Sequence, residues 1–185
     1  MPHPSILDSG SAALVVVDHQ EAFRGIIADF EGVTASIVRA VKGFGIFGLP
    51  VIVTEQYPKG LGRTVWEILN SLPDDGRIVE KTAFSSCGAA GFENSLREKN
   101  IRQVVLCGIE AHICVNQTAH DLLDNGFQVH VLTDAVGSRF PVNKEAGLKK
   151  MFASGAVPSS VEMALFELMR DSKHGKFKEI QAIVK

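Results

Sequence analysis

The stretch Gln103–Arg139, QVVLCGIEAHICVNQTAHDLLDNGFQVHVLTDAVGSR, decides the predicted fold. Its apolar run Val104–Cys107 predicts a buried strand, Gly108 opens a turn, and Phe127–Leu132 predicts the next strand. The residues between them predict a helix that begins near Cys114. A thiol at that position faces the positive end of the helix dipole and unpaired backbone N–H groups. Both favour the thiolate, which is the nucleophilic form of cysteine.

The rest of the chain repeats this alternation of strands and helices. Further strands are predicted at Ala12–Val17, Pro50–Thr54, Arg77–Glu80 and Ala156–Pro158. Further helices are predicted at Glu31–Phe47, Thr64–Leu69, Phe92–Lys99, Asn143–Ala153 and Val161–Met169. An extended arm (Met1–Ser11) and a polar C-terminal segment flank them. The pattern predicts one α/β domain over residues 1–185, a doubly wound open parallel sheet of about six strands with helices on both faces.

Composition and charge narrow the classes of function. With 185 residues, 45% hydrophobic and 22% charged, the chain has the composition of a globular domain with a sizeable core. A net charge of −2 gives no reason to expect nucleic acid or an anionic membrane as partner. No apolar run approaches the ~20 residues that span a bilayer. The first ten residues do not resemble a signal peptide, and three cysteines are too few for a disulfide framework, so we expect a cytoplasmic compartment.

Three reactive side chains fall at the carboxyl ends of predicted strands. Asp18 follows the first strand, Lys81 the third, and Cys114 lies beyond the fourth. Ligands of open parallel sheets bind at this edge. A carboxylate there can accept the proton of a thiol and return it to a leaving group, and a lysine can keep that carboxylate ionised. Each residue alone also has an ordinary structural explanation, so their shared edge carries the prediction.

The histidines leave a second arrangement open, a Cys–His pair that uses His112 or His19. Residues two positions apart do not face each other on a helix, which makes His112 the weaker base and a better support for the turn. Cys107 lies inside a predicted strand and is expected to pack in the core. Cys87, in a Gly/Ser loop, is a candidate exposed thiol without a catalytic role.

Sequence motifs for metals and nucleotides are absent. The histidines are scattered, with no HExxH and no paired CxxC, and the loop after the second strand holds one carboxylate. The first strand is followed by DHQEAF rather than GxGxxG, and no GxxxxGK[ST] occurs. We therefore expect neither a metal nor a cofactor.

Three segments resemble the isochorismatase-like cysteine hydrolases: LVVVDHQEAF around Asp18, VEKTAFSSC around Lys81, and the stretch around Cys114. GIEAHICV and TEQYPKGLG resemble the isochorismatase domain-containing subgroup. The resemblance runs from the first strand past Arg139. It implies a six-stranded parallel sheet, an Asp18–Lys81–Cys114 triad and a cis peptide bond at Ile109–Glu110. It also implies an oxyanion hole made by the N–H groups of Glu110 and Cys114.

Two departures from the family narrow the expected reaction. Nicotinamidases of the family bind a metal through an aspartate and histidines after the second strand, where this chain has Gln56 and Pro58. Hydrolysis of a vinyl ether belongs to members without the cysteine nucleophile. Cys114 therefore predicts hydrolysis of a C–N bond in a small amide or carbamoyl-type substrate, through a thioester.

The resemblance also implies a homo-oligomer, a dimer or a tetramer. The predicted walls of the substrate pocket are Phe23, Gln56, Tyr57, Trp66 and His112. The rival interpretation is a catalytically idle or redox-sensing binding module on the same fold, since low-pKa thiols are the ones that oxidise.

Overall fold

The computed structural model describes residue 3 and residues 5–185, and its frame is a six-stranded parallel sheet. The strand order is β3-β2-β1-β4-β5-β6. The strands are Ala12–Val17 (β1), Val51–Gln56 (β2), Arg77–Lys81 (β3), Gln103–Ile109 (β4), Gln128–Gly137 (β5) and Val157–Ser159 (β6). This confirms the predicted doubly wound α/β sheet.

Eight α-helices connect or follow the strands in the described part of the chain. They are Phe30–Ile46 (α1), Pro58–Leu61 (α2), Trp66–Leu69 (α3), Phe92–Glu98 (α4), Cys114–Asp124 (α5), Pro141–Ala153 (α6), Val161–Met169 (α7) and Phe177–Val184 (α8). Two short 3-10 turns cover Glu21–Phe23 and Ser86–Gly88. Within these residues no helix is both long and apolar enough to cross a membrane.

The core consists of two apolar layers, one on each face of the sheet. Every residue of β1 is buried, which explains its continuous apolar run. Leu14 and Val16 pack with α1, α7 and α8 on one face, whereas Val15 and Val17 pack with α4, α5 and α6 on the other. Burial on both faces therefore requires the run of small, branched side chains seen in the sequence.

The strand order reverses between β1 and β4, and this junction positions the candidate site. Val17 pairs with Gly108 in the parallel register. Gly108 has a φ of 110°, and a Cβ atom at this position would collide with the Val17 carbonyl. A glycine is therefore needed for the two strand ends to approach each other. The approach brings Asp18 beside the turn that leads into α5.

Several boundaries differ from the predicted ones. β5 extends to Gly137, and Lys81 is the last residue of β3 rather than the first residue after it. The C-terminal segment, predicted only as polar, contains α8, whose Ile180 is fully buried. Of the predicted arm, residues 1, 2 and 4 lie outside the described part. Leu7 within it is buried, and its N–H donates to Glu167 Oε2 (3.0 Å).

Candidate active site

Asp18 turns the chain at the end of β1. It adopts a left-handed backbone conformation with a φ of 49°, which aspartate tolerates better than most residues. Its N–H donates to the Thr54 carbonyl (3.1 Å), and the Thr54 hydroxyl donates to Asp18 Oδ1 (2.7 Å). The residue is only 1% exposed. The end of β2 thus fixes one oxygen of a buried carboxylate.

Lys81 reaches Asp18 from the end of β3, across the end of β2. Its Nζ lies 2.6 Å from Asp18 Oδ2, and both side chains are buried. The ammonium also donates to Gln56 Oε1 and to the carbonyl oxygens of Ala83 and Phe84, at 2.7–3.1 Å. The structure therefore brings together two of the three predicted residues in a buried ion pair.

The proton affinity of Asp18 results from opposing effects. Burial raises the pKa of its carboxyl group above the ordinary value. The charge and hydrogen bond of Lys81 act against this, as do hydrogen bonds from Thr54 and from the Cys114 thiol. A carboxylate with raised proton affinity is a better acceptor for the proton of a thiol.

Cys114 is the first residue of α5, as predicted, and is 8% exposed. Its thiol interacts with the Asp18 carboxylate, so the structure brings the third predicted residue to the ion pair. Burial raises the pKa of the thiol to about 12, the Asp18 carboxylate adds to the effect, and Lys81 opposes it. The effect of the helix start, which favours the thiolate, is therefore outweighed. The helix N-terminus does not offset desolvation and a nearby negative charge, so the cysteine rests as a thiol and needs a base.

The turn between β4 and α5 contains the two backbone N–H groups that the family resemblance implies as an oxyanion hole. The Ile109–Glu110 peptide bond is cis, at the position that the family resemblance implies. The N–H groups of Ile113 and Val115 donate to the Glu110 carbonyl. Within residue 3 and residues 5–185, the N–H groups of Glu110 and Cys114 have no hydrogen-bond acceptor. Both are available to an oxygen of a ligand.

Contacts with β5 and α6 hold this turn in place. Glu110 Oε2 accepts hydrogen bonds from the backbone N–H (2.9 Å) and the Nε (3.1 Å) of Arg139, just beyond β5. Helix α6 approaches so closely that a Cβ atom at Gly147 would lie 2.8 Å from the His112 Cα. The position of the turn therefore depends on two elements that follow it in the chain.

The histidines considered as alternative bases have other partners. His112 Nδ1 lies 3.1 Å from Ser138 Oγ, and its Nε2 lies 3.5 Å from Asn143 Nδ2. His19 is fully buried, with Nε2 2.7 Å from Thr34 Oγ1. Burial lowers the pKa of His19 to about 3. His112 therefore contacts residues of the segment after β5 and of α6, and His19 contacts α1.

The predicted pocket walls have different surroundings. Tyr57 and Trp66 are exposed, at 54% and 65%, whereas Phe23 packs against the apolar layer of α1. Gln56 was predicted as a wall, but both ends of its side chain bind protein groups. Sequence reasoning missed the exposed Phe84. Six large exposed apolar residues follow strand ends on this side of the sheet: Ile26, Tyr57, Trp66, Phe84, Phe140 and Val142.

Polar contacts join the loops after β1 and β2. The Gln20 side chain donates to the carbonyls of Gln56 (3.0 Å) and Gly62 (2.7 Å), and its Oε1 accepts the Gln56 N–H (2.8 Å). Arg24 forms ion pairs with Glu21, Glu31 and Glu67. Sequence reasoning did not identify Gln20, Arg24 or Thr54 as supports of the site. The one feature of the sequence that could have indicated such a role is the polar residue Gln20 directly after Asp18 and His19.

The described residues do not form the metal site of the nicotinamidases. No group of three or more His, Cys, Asp or Glu side chains in this part of the chain could hold a metal ion. Glu55 is the carboxylate directly before Gln56 in β2. It accepts a hydrogen bond from the Thr64 N–H (2.8 Å) and forms an ion pair with Arg63 (3.1 Å). The donors present here therefore do not fit that metal.

Residues 12–163 match the isochorismatase domain. The chain belongs to this family. It is 43% identical to isochorismatase domain-containing protein 2 of Homo sapiens over 177 residues, 95% of this chain and 84% of the relative. It is 39% identical to isochorismatase domain-containing protein 1 of Danio rerio over 180 residues, 97% of this chain. This isochorismatase-family chain covers 62% of the length of the Danio rerio protein.

Solved structures of similar proteins share the whole fold. The MAR1 ribonuclease of Caenorhabditis elegans superposes with a TM-score of 0.93 at 39% identity, over 97% of this chain and 92% of that one. YcaC from Pseudomonas aeruginosa, solved with hexane-2,5-diol and covalent acrylamide, gives 0.91 at 26% identity, over 100% and 92%. Isochorismatase-family proteins are generally hydrolases.

Proposed function

We propose that this chain is a single-domain cysteine hydrolase that cleaves the C–N bond of a small amide or carbamoyl-type substrate. The observation that carries the proposal is the buried Lys81–Asp18 ion pair, whose carboxylate acts on the Cys114 thiol. Because the thiol pKa is about 12, a nucleophile requires a base in contact with it. Asp18 meets this requirement.

In the proposed reaction Asp18 accepts the Cys114 proton while sulfur attacks the substrate carbonyl. The oxyanion accepts hydrogen bonds from the N–H groups of Glu110 and Cys114. As the C–N bond breaks, Asp18 gives its proton to the leaving nitrogen, which leaves a thioester. Water then attacks the thioester and Asp18 takes one of its protons. As the C–S bond breaks, Asp18 gives this proton to the Cys114 sulfur, and the acid product leaves the restored thiol.

The covalent acrylamide in YcaC from Pseudomonas aeruginosa supports a reactive nucleophile on this fold, because acrylamide is attacked at its double bond with the amide left intact. The name of the MAR1 relative introduces RNA cleavage as a rival activity. The net charge of −2 does not favour it, and the cations Lys81, Arg139 and Arg24 are each paired with carboxylates. Nucleic-acid binding depends on cations that are free to neutralise phosphates.

Turnover of an amide panel tests the proposal. The panel contains aliphatic and aromatic carboxamides and carbamoyl compounds, and ammonia release is measured together with the intact mass of rapidly quenched enzyme. We expect an acyl adduct that is absent in Cys114→Ala and present in the matched control Cys87→Ala. Unchanged turnover in Cys114→Ala would contradict the mechanism. A labelled RNA in the same assay tests the rival.

We also propose a homo-oligomer in a cytoplasmic, reducing compartment. Three free cysteines support the compartment. Six large exposed apolar side chains on one side of the sheet, Trp66 and Phe140 among them, support burial by a second copy or by substrate. The redox-sensor alternative receives less support, because burial raises the thiol pKa and slows oxidation.

A further inference from the structure

The side chain of Gln56 forms a hydrogen bond at each end, one with Lys81 and one with the residue that follows Lys81. Gln56 is the last residue of β2 and pairs with Lys81 in the strand register. Its Oε1 accepts a hydrogen bond from Lys81 Nζ (2.7 Å), and its Nε2 donates to the Thr82 carbonyl (2.7 Å). Because Thr82 offers only an acceptor to the nitrogen, the carboxamide oxygen must face the ammonium.

The hydrogen bonds of Lys81 leave it no capacity for a substrate. An ammonium group has three N–H donors. Asp18, Gln56 and the carbonyls of Ala83 and Phe84 supply four acceptors within 3.1 Å of Nζ. Among these acceptors Gln56 is the one neutral side chain, and it lies next to β1 in the sheet order.

The Gln56 backbone is held as firmly as its side chain. Its N–H donates to Gln20 Oε1, and its carbonyl accepts from Gln20 Nε2. The loop after β1, which begins with Asp18, therefore fixes the residue that holds Lys81. Gln56 thus contacts Lys81 directly and is linked through Gln20 to the loop that begins with Asp18.

We propose that Gln56 is a positioning residue that holds the Lys81 ammonium against Asp18, so that Asp18 stays ionised and can take the Cys114 proton. This inference rests on the proposed hydrolase function and adds a second role to Gln56, which the sequence predicts as part of the pocket wall. Without the carboxamide oxygen no group of β2 fixes the ammonium, and its position against Asp18 then depends on the carbonyls of the loop after β3 alone. The stabilisation of the carboxylate then weakens, while its burial remains.

The pH dependence of kcat/KM reports this effect. The groups that face Asp18 are Lys81 from β3, Thr54 from β2 and the Cys114 thiol from α5, and Glu110 acts on that thiol. Weaker stabilisation by Lys81 raises the pKa of Asp18, so the acidic limb of the profile moves to higher pH. A carboxylate at position 56 moves it further, because a second negative charge lies beside the pair.

Three variants of the full chain separate positioning from substrate binding. Gln56→Met keeps the length of the side chain and removes its hydrogen bonds, and Gln56→Glu keeps the acceptor and adds a charge. Glu80→Gln is the matched control, because Glu80 is exposed and lies one residue before Lys81. We expect Gln56→Met to lower kcat about 10- to 100-fold, the range for outer-shell partners, with KM nearly unchanged. The acidic limb should move upward in Gln56→Met, more in Gln56→Glu and not in Glu80→Gln.

A second readout does not depend on turnover. A buried ammonium with fixed acceptors exchanges its protons slowly, so the Lys81 Nζ signal should be visible by ¹⁵N NMR in the wild type and in Glu80→Gln. It should broaden or shift in Gln56→Met. If that signal and the acidic limb both stay unchanged, or if KM rises while kcat does not fall, the positioning role is overturned. Activity in Cys114→Ala would overturn the proposed function alone, since the ammonium signal still tests Gln56.

Discussion

Cys107 and Cys114 lie seven residues apart, on either side of one turn. Their expected roles differ, but both are buried and both have a raised thiol pKa. Cys107 is fully buried in β4, where its thiol donates to the Val15 carbonyl (3.7 Å). Cys114 is also buried, at the start of α5. Burial raises the pKa of both thiols. Neither burial nor thiol acidity therefore distinguishes the candidate nucleophile from the packed cysteine.

Their neighbours make the difference. Cys107 packs in the apolar layer that faces α1, whereas Cys114 contacts a carboxylate that Lys81 and Thr54 hold in place. A base within reach converts a neutral thiol into a nucleophile only while it reacts. In this protein, the function of a cysteine is decided by what the ends of β1, β2 and β3 place beside it.

The largest expected effect comes from exchanging the two cysteines for alanine. Cys114→Ala should lower kcat by about 10³-fold or more, because the nucleophile is lost. Cys107→Ala should keep kcat within a few-fold and cost about 1 kcal/mol of stability for the small cavity. Steady-state kinetics and urea unfolding of both variants test the contrast. Equal losses of activity would remove the distinction between the two thiols.

The next largest effect is expected when the charges beside Cys114 are removed, so that its surroundings resemble those of Cys107. Asp18→Asn and Lys81→Met each leave one buried charge without its partner and should lower the free energy of unfolding by about 3–5 kcal/mol. The double variant should be more stable than either single variant and still inactive. Urea unfolding of all four proteins gives the coupling energy. A double variant as unstable as the sum of the two would show that the charges do not interact.

Alkylation with iodoacetamide compares the acidity of the two thiols directly. A thiol with a pKa of about 12 gains about tenfold in thiolate per pH unit, so labelling of Cys114 should rise about 100-fold from pH 7 to pH 9. Cys107 should stay unlabelled in the folded protein. Peptide mass spectrometry measures both. A plateau for Cys114 below pH 8 would restore the thiolate that the helix N-terminus predicted.

The smallest expected effect concerns two buried histidines. Burial lowers the pKa of an imidazole, whereas it raises the pKa of a thiol. Burial lowers the pKa of His19 to about 3 and of His130 to about 4, from 6.5. As the pH falls, the histidines of the unfolded chain bind protons before those of the folded chain do. Their contribution to the free energy of unfolding is therefore complete above pH 6.5 and is lost as the pH falls toward the lowered pKa values of the folded state. At pH 5 each ring should account for about 2 kcal/mol.

His130→Leu tests the effect of pH on stability. His130 lies in β5 and pairs with Val105 of β4 in the sheet register. Urea unfolding at pH 7 and pH 5 should show a smaller loss of stability in the variant than in the wild type. The activity at pH 7 should be retained. An identical loss in both proteins would mean that the folded state protonates His130 without cost.

Apolar patterns predicted the frame of the molecule well. β1 and α7 have the predicted bounds, and α5 begins at Cys114. Asp18 and Lys81 were predictable because parallel strands end at a common edge. The stripe of Phe177, Ile180 and Val184 in α8 has helical spacing too, but it was obscured by the charged residues around it.

Side-chain partners were not predictable in the same way. Gln56 points to Lys81 because β2 lies between β1 and β3, a strand order that periodicity does not determine. The thiol pKa depends on burial and on the distance to Asp18, and neither can be calculated from the position of Cys114 in a helix. These quantities arise from tertiary structure, so the sequence could indicate candidate residues but not the proton affinities of their side chains.

The contacts of Gln20 and Arg24 have a consequence for protein engineering. Because they join the loops after β1 and β2, these loops form one cassette rather than two independent inserts. A chimera that receives only one loop from a relative would separate Gln20 from the carbonyls that it binds and Arg24 from Glu67. Transfer of substrate preference between relatives therefore requires grafting residues 18–24 together with residues 55–69.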